Sequence, residues 1–462
     1  MELKHIIFFG VLIFGVPIGF ILASKIKFIE NVVLFIAVFF TCSLLGAINF
    51  VSMETYRGTA KGFQVTLVDI AAIVLFLLVV SRSRERKLIL LPPGSILYLF
   101  YFVFSWISIS NSAESVYSYF ELWKMVRMYF FYWTMCNYLN AEEDIMRMLH
   151  MIAPIIIYIF LVVLNQKYRM HLFQTNGPLP HQNSLVMYMI IFNTIIFAWL
   201  LNANLSAAKV TSLLAIFGMG SICVVCTLSR AGLMCYGLAC GITMALSLIN
   251  GFEFRKVAIA VLILFGAFCV LAKSMHTIVE RFTNAPVESK LTRISLAEAA
   301  VKMAGDKFFG VGLNNWGIKI NPPYPYSDHI ERKDDEFKEG VVETVYLLVA
   351  AETGWLNLAV FLLFLMRFYL LNILNYISCR KTELMFISAA LAGGLAGIYI
   401  ESSLEWVLKQ TNNFYQLMLV FAVISAMAEL RRRKNQAPCD ATEENNPPSQ
   451  ETAMPQMEQV TP

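Results

Sequence analysis

The sequence predicts an all-α polytopic membrane protein, with about 12–13 transmembrane helices and one long loop that contains short helices. Three observations carry this. Hydrophobic residues make up 58% of the 462 residues and charged residues only 15%, whereas soluble domains are nearer half apolar and a quarter charged. The mean hydropathy is +0.63. The apolar residues fall in blocks of about 17 to 25, the length that crosses a hydrocarbon core. The net charge of +4 says little, because a membrane protein segregates its charge by side.

In chain order, candidate spans begin near Ile6, Glu30, Val65, Leu91, Tyr119, Leu149, Ser184, Val210, Ala231, Val257, Glu343, Leu384 and Asn413. They divide the chain into ten spans over 1–272, a large hydrophilic loop over 273–342, three spans over 343–434 and a tail over 435–462. The first apolar stretch lacks a small-residue cleavage motif and runs into Lys25 and Lys27, so it is expected to stay as a span. Lysine and arginine in alternate short loops divide about 17 against 6. The richer set, which includes Arg82, Arg255 and Arg431 to Lys434, is expected to be cytoplasmic. That puts the C-terminus inside. Thirteen spans put the N-terminus outside; one interfacial early segment would make twelve and place both ends inside. The tail is rich in Pro, Gln, Glu and Asn and reads as disordered. No internal repeat is evident.

Most of the nine cysteines lie inside apolar blocks and the loop has none, so neither a disulfide framework nor a zinc site is expected. Cys223 and Cys226 form a CVVC within a span and read as packing residues. Acidic and basic residues nearly balance in the loop, which argues against a nucleic-acid-binding arm. Ile294 to Lys307 reads as a short amphipathic helix opened by Arg293, with Ala297, Ala300, Val301 and Ala304 on one face. FFGVGLNNWG supplies turn signals, NPPYPY (Asn321 to Tyr326) blocks helix, and a charged run from His329 to Glu339 leads to the next span.

Several polar residues gather on the side opposite the basic loops. Arg230, in TLSRAGL, sits between two apolar blocks with almost no loop. Arginine is costly at membrane depth unless it faces a cavity, a partner or the interface; snorkelling to the headgroups is the bland reading, but the bias of positive charge to the opposite side disfavours it here. A guanidinium there suits a diphosphate through paired hydrogen bonds. By spacing alone, Arg293 reads as a solvated surface charge. Glu343 begins an apolar span, where an acid caps a helix comfortably or serves as a general base. Glu352 follows deeper in the same segment. His181 precedes the helix start at Asn183 and Ser184. Glu54, Tyr56, Arg57 and Asp69 form one more outer cluster, and Glu401, Glu405 and Trp406 another.

With these residues in place, the chain resembles the O-antigen ligase and polymerase superfamily of bacterial envelope-glycan assembly, from about Glu54 to Gln410. TLSRAGL is similar to that family's Ser-Arg element between two spans. Arg293 followed by AGDKFFGVGLNNW is similar to its periplasmic Arg, helix and Gly-Val-Gly-aromatic segment. ETVYLLVAAETGWLNL is similar to the segment that starts the span after the large loop, and PHQNSLVMY resembles a further one.

The resemblance implies an enzyme of the bacterial inner membrane with its active face in the periplasm. It would transfer or polymerise glycan from an undecaprenyl-diphosphate-linked donor onto a glycan or lipid acceptor, with no metal and no cofactor. Arg230 and Arg293 would hold the diphosphate, with His181, Arg57 and Glu54 as further substrate-binding candidates. The ligase branch places a His where this chain has Glu343, followed by Thr344. A carboxylate can accept a proton there too, and beside two arginines it is expected to be ionised at neutral pH. The departure leaves polymerase, ligase and exopolysaccharide enzyme open. A transporter or flippase of lipid-linked glycan would show paired repeats and midplane polar groups. A non-catalytic scaffold would not need Arg230 and Glu343 to converge.

Overall fold

The structure is a computed structural model that describes residues 3–43, 45–84, 87–266, 287–328, 341–379 and 382–436. Cys269, residues 273–286 of the large loop, the charged run from His329 to Glu339, and the tail from 437 onward lie outside the described residues. The protein is an all-α polytopic membrane protein. Each of the thirteen expected segments coincides with helix. They are α1 and α2 (Leu3–Gly10 and Val16–Lys25), α3 (Lys27–Phe39), α4 (Leu67–Ser81), α5 (Ser95–Ile107), α6 (Ser115–Tyr138), α7 and α8 (Glu142–His150 and Ile152–Leu164), α9 (Gln182–Asn202), α10 (Ala207–Cys226), α11 (Arg230–Ile249), α12 (254–266), α15 and α16 (Val345–Thr353 and Trp355–Ser378), α17 (Glu383–Glu401) and α18 (Thr411–Gln436). In the loop lie α13 (Val287–Asp306) and the single turn α14 (Trp316–Lys319). Among the described residues, eight stretches are long and apolar enough to cross a bilayer.

α9 is the central post. Its sequence is apolar all round, the pattern of a helix with no solvent face, and its whole apolar window is buried. α17 packs beside it and beside α11 through GGLAG. A Cβ on Gly393 would meet the Ala239 carbonyl, and one on Gly397 would meet the Cys235 carbonyl and the Ile190 side chain. These two glycines, four apart, let helix backbones approach closely, the small-residue route to helix association in lipid.

Three expectations are corrected. The span expected from Glu343 is broken. Gly354, at φ +88, separates the short α15 from α16, and the apolar span begins at Trp355. Arg293 does not open the loop helix, because α13 starts earlier, at Val287. Its packed face is Leu296, Ala299, Ala300, Met303 and Ala304, whereas Val301 is 49% exposed. An antiparallel hairpin, β1 (Ile48–Ser52) and β2 (Gly62–Val65), also stands where only a polar cluster was expected.

The FFGVGLNNW segment is a clamp. Gly310 and Gly312 adopt φ +70 and +113, and the amides of Val311 and Gly312 donate to the carbonyls of Ala351 and Glu352 at 2.9 and 3.0 Å. Asn314 and Asn315 are fully buried. The Asn315 side-chain oxygen accepts from the amides of Ala113 and Glu114 at 3.0 Å, tying down the start of α6. The Asn314 oxygen accepts from the Thr59 amide at 2.9 Å, tying down the hairpin loop. Each buried amide side chain thus satisfies backbone groups that would otherwise be desolvated without partners.

Candidate active site

Arg230 is the first residue of α11. The preceding turn is tight: Leu228 takes φ +53, and the Ser229 hydroxyl accepts from the Gly232 amide at 3.2 Å, an N-cap that starts the helix. α11 runs antiparallel to α17, with Ala239 beside Gly393 and Cys235 beside Gly397. In this antiparallel register the Arg230 end of α11 lies toward the end of α17 that carries Glu401. The Ser402 carbonyl accepts from the Val345 amide at 3.0 Å. This fixes the start of α15, and Glu343 just ahead of it, at the same end of the bundle.

Arg293, from α13, lies there as well. Its Nε is ion-paired with Glu343, and its Nη2 lies 3.6 Å from Glu405 Oε1. α13 is held in place by packing on α15 through Leu296, Ala299, Ala300 and Met303, which cluster with Leu348 and Ala351. The side chains of Arg293 and Glu343 are 47% and 35% exposed. Their pair therefore contributes at most about 1 kcal/mol to stability, and its weight lies in where it puts the two groups.

Glu405 is different, with a side chain only 10% exposed. Burial raises its carboxyl to about 7, the Asn183 amide and Arg293 oppose the shift, and Glu343 adds to it. Burial also raises Glu343, against the pull of Arg293. At Glu343, removing the carboxylate from water thus outweighs the pull of one partly solvated guanidinium.

His181 is the N-cap of α9, its Nδ1 accepting from the Asn183 amide at 3.3 Å. Burial lowers its basicity. Asn183 brings this corner to Glu405. Thus Arg293 and Glu343 are in direct contact, and Arg230 and His181 sit at the same end. Glu54 and Arg57 are exposed on the hairpin loop. The buried residues of that loop, Tyr56 and Thr59, bond to Asn314 and Glu121 instead.

Below the loop is a buried network that sequence reasoning missed. Lys409 Nζ lies 3.1 Å from Glu352 and 3.6 Å from Glu121, and Lys124 Nζ lies 2.7 Å from Glu121. All four side chains are at least 96% buried. Two acids and two lysines balance, which makes their burial tolerable. The network ties α6, α15 and the turn before α18 together. Its signal was present in FELWKMVR, where Glu121, Lys124 and Arg127 recur every third residue within an apolar helix, an expensive placement that demands partners. Arg127 in turn meets Asp69 at 2.6 Å. Among the described residues no group of three or more His, Cys, Asp or Glu side chains is arranged to hold a metal ion.

A comparison with curated protein sequences finds no match. A comparison with family models finds one: residues 214–362 match the O-antigen ligase family. The matched segment contains Arg230, Arg293, Glu343 and Glu352, the clamp and the broken helix, and it ends before Glu405. The apolar helices and this match support a multi-pass bacterial membrane protein of the O-antigen ligase or polymerase type. Over this segment, about a third of its length, the chain is similar to the O-antigen ligase family.

Proposed function

We propose that the protein transfers or polymerises glycan from an undecaprenyl-diphosphate-linked donor at the periplasmic face of the bacterial inner membrane, with its C-terminus in the cytoplasm. The loop charge bias supports this orientation. One observation carries the site. Arg293 stands between Glu343 and Glu405 at the end of the bundle where α11 begins with Arg230.

Arg230 and Arg293 hold the donor diphosphate and stabilise it as it leaves, the work that preorganised cations do for developing phosphate charge. This needs neither metal nor cofactor. A carboxylate beside Arg293 takes the proton of the acceptor hydroxyl as its oxygen attacks the sugar carbon. His181 lies on the acceptor side, and the hairpin loop with Glu54 and Arg57 contacts the glycan farther out.

The test is an analysis of lipid-linked and finished envelope glycans in a deletion strain. Accumulated short lipid-linked units are expected of a lost polymerase, and long unattached chains of a lost ligase. Unchanged glycans would remove the proposal.

A further inference from the structure

Two carboxylates compete for the proton in this site, and the geometry separates them. Glu343 is paired directly with Arg293 Nε, so protonating it would break a charge-assisted contact. Glu405 reaches the same guanidinium only at 3.6 Å, and it is the more enclosed of the two. Facing it are Arg293 from α13, Glu343 ahead of α15, Glu401 at the end of α17 and the amide of Asn183 from α9. Glu401 is 1% exposed, and neither of its carboxylate oxygens has a hydrogen-bond partner.

We propose that Glu405 is the catalytic proton acceptor, and that Glu343 is a positioning residue that holds Arg293 toward the donor diphosphate. The inference rests on the transfer reading above. In the step, the acceptor oxygen forms a bond to the sugar carbon. The bond from that carbon to the diphosphate oxygen breaks, and its electron pair leaves with the diphosphate beside Arg230 and Arg293. The acceptor proton passes to Glu405.

Burial raises Glu405 to about 7, where a carboxylate is a far better base than at its ordinary value yet still ionised in useful amount. A proton resting there also leaves the Arg293–Glu343 pair intact. Glu401, at 1% exposure, is too enclosed to meet an acceptor.

The experiment compares Glu405→Gln and Glu343→Gln, with purified undecaprenyl-diphosphate-linked glycan as donor, across pH 5.5 to 8.5. Wild-type turnover should rise through about pH 7. Glu405→Gln should lower turnover by roughly 10²- to 10⁴-fold, leave the donor KM near wild type and lose the rise. Glu343→Gln should keep the rise and raise the donor KM. If Glu405→Gln does not accumulate in the membrane, Glu405→Asp is used, and its rise should be displaced along the pH axis. Near-wild-type turnover of Glu405→Gln, an undisplaced rise in Glu405→Asp, or loss of the rise in Glu343→Gln alone would overturn the assignment and leave the transfer reading standing. Failure of wild type to use the donor at any pH would instead overturn the transfer reading.

Discussion

The Arg293 guanidinium lies 3.6 Å from the Glu405 carboxylate, although one residue belongs to the loop helix α13 and the other to the turn between α17 and α18. That contact, with the Glu343 ion pair, joins the extramembrane helix to the spanning bundle at one point. The groups proposed for donor and acceptor chemistry meet at that point.

Arg230→Ala is expected to abolish transfer while the protein remains in the membrane. Removing one partner of a desolvated, charge-assisted contact costs roughly 2–5 kcal/mol, which corresponds to orders of magnitude in rate. Arg230→Lys should recover activity only in part, since an ammonium lacks the paired donors of the guanidinium. Glycan profiles at matched expression check this, and a normal profile in the Ala variant counts against Arg230.

Glu405 gives a stability signature separate from activity. Its carboxyl is raised to about 7 by burial, so the folded protein binds that proton more tightly than the unfolded chain does. The associated stability is fully present below the ordinary carboxylate value and is lost as pH rises through about 7. Thermal melts at pH 5 and pH 8 should therefore fall further apart for wild type than for Glu405→Gln. Equal separations would contradict the burial account.

Lys409→Met should be among the most destabilising single changes. It leaves Glu352 and Glu121 with one lysine between them, at a cost of roughly 3–5 kcal/mol for an uncompensated buried charge. Adding Glu352→Gln should recover part of the loss, because the remaining acid, Glu121, still has Lys124 at 2.7 Å. The readout is the melting temperature of the single and double variants. A double variant no better than the single would argue against charge balance as the reason for the network.

Gly393→Val tests the packing that sets the level of Arg230. A side chain there runs into the Ala239 carbonyl of α11. Backbone displacement of this kind costs roughly 1–3 kcal/mol, and it should lower both the melting temperature and transfer. Gly241 has open space where a Cβ would go, so Gly241→Ala is the control and should change little.

Much of this architecture was legible from hydropathy, because a bilayer demands long apolar helices and most expected span starts fall on or within a few residues of a helix. The break at Gly354 was not, since VYLLVAAETGWL reads as one mostly apolar run interrupted by a single acid, and only backbone geometry shows that α15 turns aside. Arg293 and Glu343 stood out as charges beside apolar runs, and they do meet. Glu405 was noticed only as part of a polar cluster. Its importance depends on contacts from α13 and α9, which no local pattern encodes. The Lys409 network stayed hidden because its members come from three separate stretches of chain, although each is an ionisable group at an apolar position.

The most direct measurement is transfer by the purified protein in lipid, with an undecaprenyl-diphosphate-linked glycan as the sole donor and a metal chelator present. Wild type is expected to move the glycan to an acceptor and release the lipid diphosphate, and Arg293→Ala is expected to do neither at a measurable rate. No transfer by wild type, or equal transfer by the variant, would contradict the account.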